Sequence, residues 1–183
     1  MILTFKDAKK IETERLIIRP FEKNDLLDFY EYCQNPNVGP NAGWKPHKSI
    51  EESKNILNKF INGNDVMAIE IKTDKKVIGS IGLHKDEKRS IEKAKMIGYI
   101  LSESYWGKGF MTECVKAVIN FAFENMELEV LSVFHFSSNE RSHRVIEKCG
   151  FKLEGTLRKA FEIYDGRIED DVCYSIIKED WEH

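Results

Sequence analysis

Met96-Ile97-Gly98-Tyr99-Ile100-Leu101, then Trp106-Gly107-Lys108-Gly109-Phe110-Met111-Thr112, then an amphipathic run over residues 115–126, is the stretch that decides the fold. It reads as a strand, a glycine turn and a helix. Two glycines one residue apart at a helix N-terminus can aim several backbone N–H groups at a single anion. The helix dipole adds positive potential at the same place, which suits a pyrophosphate. The same glycines serve equally well in a strand-to-helix turn that needs their conformational freedom for its own geometry. The turn taken alone leaves both readings open.

Working upstream, residues 11–19 read as a first strand that closes at Pro20. Asn24 caps a helix carrying Leu26, Phe29, Tyr30 and Cys33 on one face, stopped before Pro36. Residues 36–48 hold three of the four prolines, two glycines and Trp44, and read as a shaped loop. Ser49-x-x-Glu52 is a capping box for a second helix with Ile56, Leu57, Phe60 and Ile61 inward, ended by Asn62-Gly63. Residues 66–72 and 77–83 form a hairpin, and a polar loop over 85–93 leads to the strand ending at Leu101.

Downstream lie a short buried strand over 130–136 and a helix capped by Ser138-Asn139 and ended by Gly150. A final antiparallel pair, 151–157 with 168–177, turns around Asp165-Gly166. This order is mixed α/β (α+β) with a mostly antiparallel sheet. The glycines follow the fourth of these strands, lack a third glycine at dinucleotide-fold spacing, and are not followed by Gly-Lys-Ser/Thr. Rossmann and P-loop folds are therefore excluded.

The bulk composition narrows the class further. With 183 residues, 42% hydrophobic and 32% charged, the chain reads as one globular domain over residues 1–183, without repeats or linkers. A net charge of −3 gives no basic field for nucleic acid. No apolar run approaches the roughly 20 residues of a membrane span. Met1-Ile2-Leu3-Thr4-Phe5-Lys6-Asp7 is too soon charged for a secretory signal, so a cytoplasmic location is expected. Cys33, Cys114, Cys149 and Cys173 are scattered and read as buried thiols, with no metal site.

Residues 96–142 resemble the GNAT superfamily of acetyl-CoA-dependent N-acetyltransferases, whose Gln/Arg-x-x-Gly-x-Gly/Ala turn binds the CoA pyrophosphate. Trp106 at the first position is similar to the branch of ribosomal-protein N-terminal acetyltransferases, and Met111 replaces the usual Ala or Gly at the last. Asn139-Glu140-Arg141-Ser142, Glu147-Lys148-Cys149-Gly150-Phe151, Glu154-Gly155-Thr156-Leu157-Arg158 and the ending Asp165-Gly166…Asp170…Tyr174-Ser175…Trp181 continue the likeness. It extends from Thr13-Glu14-Arg15-Leu16 to the C-terminus. The resemblance implies a GNAT fold: a twisted sheet of about seven strands with about four helices, splayed between the fourth and fifth strands.

It also implies acetyl-CoA as co-substrate and direct acetyl transfer to a primary amine, either a protein N-terminus or a small metabolite. The cofactor residues so implied are Ile100, Leu101, the turn Trp106, Gly107, Lys108, Gly109, Phe110, Met111 and Thr112, then Asn139 and Ser142. A backbone N–H near Ile100 and Leu101 would polarise the thioester carbonyl. The tyrosine that many relatives use to protonate the leaving thiolate falls here on Ile146, which leaves Ser142 as the donor. The usual basic glutamate falls on Met96, a thioether that takes no proton. Glu70 and His84, on neighbouring strands, are the alternative bases, acting through water. Trp44, His47 and Tyr164 are expected around the acceptor. A monomer or homodimer fits equally. The second reading is a degenerate domain that binds acetyl-CoA as a sensor or scaffold, which Met96 and Ile146 favour.

Overall fold

The computed structural model describes residues 4–181; Met1–Leu3 of the N-terminal run lie outside that span. The elements are β1 (Ile11–Glu12), β2 (Leu16–Arg19), α1 (Leu26–Cys33), α2 (Ile50–Asn62), β3 (Val66–Ile71), β4 (Lys76–Lys85) and β5 (Ala94–Leu101). They continue with α3 (Phe110–Glu124), β6 (Val130–Phe136), α4 (Glu140–Lys148), β7 (Lys152–Glu162), β8 (Ile168–Ile177) and α5 (Lys178–Trp181). One eight-stranded sheet runs in the order β1-β2-β3-β4-β5-β6-β8-β7.

The count exceeds the expected seven because residues 11–19 form a small hairpin instead of one strand. Thr13 turns the chain: its N–H donates to the Leu16 carbonyl at 3.0 Å, and the Leu16 N–H donates to Thr13 Oγ1 at 3.0 Å. Ile11 then faces Ile18 across β1–β2. The glycine turn accordingly follows the fifth strand.

Alternation along the strands makes two cores. Met67, Ile69 and Ile71 of β3 pack with Val115, Val118 and Phe123 of α3 and Ile146 of α4. Ala68 of β3 and Val77 of β4 pack on the opposite face with Phe29 of α1 and Leu57 of α2. All four cysteines are buried and free. No helix among the described residues is long and apolar enough to cross a membrane.

Every neighbouring pair in the sheet is antiparallel except β5 and β6. Their parallel ladder holds only Ala94↔Val130, Lys95↔Leu131 and Met96↔Ser132. Both strands run on past it without pairing to each other. A parallel pair needs a crossover, and α3 supplies it. The helix begins at Phe110, earlier than the run over 115–126 suggested. Phe110, Met111 and Cys114 are buried on the face that Val115 and Val118 continue, so the turn's last residues already belong to the helix.

A charged knot fixes the 86–93 loop to the sheet beside this ladder. The Asp86 carboxylate has no exposed surface, and it accepts from Ser132 Oγ at 2.6 Å, from the Lys88 N–H at 2.9 Å and from Arg89 at 2.9 Å. Arg89 also pairs with Glu154, which accepts from Ser175 Oγ at 2.8 Å. Burial alone would raise the Asp86 pKa; the three donors outweigh it and hold the carboxyl below its usual range. Its contribution is therefore present at neutral pH and lost as pH falls through that lowered value. Asp86→Ala is expected to cost about 3 kcal/mol in urea unfolding at pH 7, because it leaves the buried Ser132 hydroxyl unpaired and strips Arg89 of one of its two carboxylate partners. The penalty should shrink as the measurement moves to acid.

Candidate active site

Where β5 and β6 part, they open a cavity of about 550 Å³. Met96 to Leu101 form one wall, Val133 to Phe136 the other, and Trp106, Gly107 and Gly109 to Thr112 close one end. The β5 edge facing it has no strand partner beyond Met96, while the other edge pairs with β4 from Lys95 to Leu101.

The turn is built to leave its N–H groups free. Gly107 and Gly109 sit at φ +73° and +81°, the left-handed region that L side chains rarely adopt. Gly109 is the N-cap of α3 and offers no side-chain acceptor, so the first-turn N–H groups after it have no intrahelical partner and no cap. Trp106 fastens the turn to the end of β5: its indole N–H donates to the Leu101 carbonyl at 2.8 Å. The Arg141 guanidinium lies 4.0 Å over the same indole. Arg141, Arg144 and Lys148, all lining the cavity, give the α4 side a positive rim.

The Lys108 side chain points elsewhere, its ammonium donating to the Ser104 carbonyl at 2.8 Å. The Lys108 carbonyl is held from behind by Arg15, which donates at 3.0 Å. Arg15 is itself fixed by Glu113 at 2.6 Å and lies 4.3 Å over the Phe110 ring. The Thr13–Arg15 turn that divides β1 from β2 thus also braces the glycine turn.

Ser142 lines the cavity in the first turn of α4. Its N–H is capped by Asn139 Oδ1 at 3.2 Å, and its hydroxyl shares a hydrogen bond of 2.9 Å with the Tyr99 phenol. Burial pushes the Tyr99 phenol well above its ordinary pKa, with the Ser142 bond opposing, so it stays protonated. Asn139 spends its other end on the Asn41 carbonyl at 3.2 Å, tying α4 to the 39–42 loop. His135, also on the wall, bonds Phe136 O through Nδ1 at 2.8 Å, while its buried Nε2 has no partner among the described residues. Tyr99 and His135 were not singled out from sequence. Gly98-Tyr99 marked the strand, but the register that aims the phenol at α4 does not show in a linear motif.

Neither candidate base lines the cavity, and the two stand differently to it. His84 stands opposite Met96 on β4, and its ring lies against Gly98 of the cavity wall, 3.6 Å from where a Cβ would sit. Burial lowers its pKa, with Asp65 opposing, so the imidazole is neutral at pH 7 and can accept a proton. Glu70 does not line the cavity; its carboxylate accepts from Arg19 at 2.7 Å, and Arg19 also grips Asp25 at 2.8 Å.

The acceptor residues expected from sequence also stand back. Trp44 packs in the α1–α2 core over Gly39, where a Cβ would meet its ring at 2.6 Å. His47 is buried, with Nδ1 2.6 Å from Ser53 Oγ. Tyr164 is exposed on the β7–β8 hairpin with the Lys45 ammonium 6.0 Å from its ring centre. None of the three lines the cavity; Asn41, Ala42, Phe136, Phe161 and Asp171 do.

Residues 15–152 match the model of the acetyltransferase (GNAT) domain. An uncharacterized N-acetyltransferase of Bacillus subtilis, YoaA, is 29% identical over 173 residues, covering 92% of this chain and 96% of its own length. A GNAT-family acetyltransferase structure from Bacillus anthracis superposes with a TM-score of 0.84 at 26% identity, over 93% of this chain and 99% of that one. A ribosomal-protein-S5-alanine acetyltransferase structure from Vibrio fischeri superposes with a TM-score of 0.75 at 26% identity, over 94% and 98%. The chain belongs to the GNAT acetyltransferase family and is an acyltransferase.

The brace behind the turn can be tested on the free protein. Arg15→Met is expected to speed tryptic cleavage after Lys108 by about tenfold, as loss of a charge-assisted bond would allow. Cleavage after Lys159, exposed on β7 at the opposite edge of the sheet, should not change.

Proposed function

We propose that this protein transfers the acetyl group of acetyl-CoA directly to a primary amine. The observation that carries the proposal is the parting of β5 from β6 into a cavity with an uncapped helix N-terminus at its end. The residues present fit that donor. Free N–H groups between Gly107 and Met111 would receive the pyrophosphate, and Thr112 ends the same turn of helix. Arg141, Arg144 and Lys148 would meet the remaining phosphate charge. The unpaired edge at Ile100 and Leu101 would pair with the amide-bearing arm of CoA, and His135 Nε2 gives it one more acceptor.

Acetyl-CoA supplies an activated thioester; the chain positions it and moves the protons. A backbone N–H on the β5 edge polarises the carbonyl. Ser142, oriented by Asn139 and Tyr99, donates to the departing thiolate and is reprotonated from solvent. His84 takes the amine's proton through water, and no stronger base is required, because an N-terminal amine titrates near pH 8. The acceptor is a protein N-terminus or a small amine. A second reading, an acetyl-CoA sensor with little turnover, is favoured by Met96 and Ile146, which leave the family's usual base and acid positions empty.

Calorimetry with acetyl-CoA, paired with thiol release against peptides and polyamines, separates the two: binding without turnover on any amine would favour the sensor. For the enzyme, Ser142→Ala and Tyr99→Phe are each expected to lower kcat about 10²-fold with acetyl-CoA affinity nearly unchanged. The double variant should be little worse than either single one, since the two hydroxyls act as a unit.

A further inference from the structure

We infer that Asp171 is the docking group for the acceptor's positive charge, so that the site takes a cationic amine in preference to a neutral one. The inference rests on the cavity being an acetyl-CoA site. Glu169, Asp170 and Asp171 are consecutive on β8. Glu169 accepts from Ser138 Oγ at 3.1 Å, and Asp170 accepts from the Lys159 N–H at 2.7 Å. Of the three, Asp171 lines the cavity, and among the described residues the one side-chain hydrogen bond that reaches it, from Cys173 Sγ at 3.7 Å, ends on its backbone carbonyl and leaves the carboxylate without one. Its side chain is only 16% exposed, and its one ion-pair contact is Lys88 at 4.0 Å, too long for a hydrogen bond.

A half-buried carboxylate with unfilled acceptors in an apolar setting is a strong cation site. Register puts it opposite Phe136, whose ring packs against Phe161 with centres 5.3 Å apart and planes tilted by 42°. These rings and Asn41 share the cavity with Asp171. Phe134 and Lys88 show the same chemistry within the chain, an ammonium 3.5 Å from an aromatic ring centre beside this carboxylate. Burial raises the Asp171 pKa, with Lys88 and His135 opposing.

The test uses CoA thioethers that carry an alkyl chain of graded length, ending either in an ammonium or in a methyl group. The CoA half anchors both probes, so no natural acceptor need be known. Wild type should bind the best ammonium-ended probe at least ~10-fold more tightly than its methyl-ended twin. Asp171→Asn should abolish that preference and leave the methyl-ended affinity unchanged, while Asp171→Glu should keep part of it. Equal binding of the two probes by wild type, or a preference that survives in Asp171→Asn, would overturn the inference and leave the acetyl-CoA reading standing. So would loss of affinity for both probes in Asp171→Asn, which would mark Asp171 as a structural residue. Failure of wild type to bind either probe would overturn the acetyl-CoA reading, and this inference with it.

Discussion

The short parallel ladder between β5 and β6 is the constraint on which the rest of the structure depends. It ends at Met96↔Ser132, while β5 continues to Leu101 and β6 to Phe136. Two parallel neighbours cannot be joined by a tight turn, so the chain must leave β5, cross over one face and return. That crossover is α3, and its N-terminus necessarily arrives at the carboxyl end of β5, beside the gap. Gap and uncapped helix end are thus one consequence of one topological choice, as in parallel sheets generally.

Holding the gap open takes work on both sides. The Asp86 knot anchors β6 and the loop before β5 at the paired end. At the open end, Trp106 pins the turn to Leu101 and Arg15 braces it from the outside. Asn139 joins α4 to the 39–42 loop, so the element carrying Ser142 is linked to a loop that borders the cavity. A single amide serves both as helix cap and as that link.

What the sequence made legible follows from locality. The glycine turn and the Asn139 cap lie within a few residues of their partners, and local chemistry marks them; Ser142, whose phenol partner is 43 residues away in sequence, was reached only through the family resemblance. Tyr99, His135 and Asp171 lie on strands, where function depends on register and on which face a neighbouring helix covers. Glu70 shows the same difficulty in reverse. Its place on a neighbouring strand made it a candidate base, but Arg19, 51 residues away in sequence, pairs with it. Trp44 and His47 sit in the loop expected to frame the acceptor, yet α1 and α2 draw them into the core. Splitting of the first strand was equally hidden, because one threonine side chain decides it.

Amide hydrogen exchange with and without CoA is the most direct test of the central claim that the parted strands and the turn form the donor site. Protection should concentrate on residues 97–101, 107–112 and 133–136, with the paired β3–β4 ladder unaltered. No CoA-dependent protection in those three segments, or protection confined to the α1–α2 face, would contradict it.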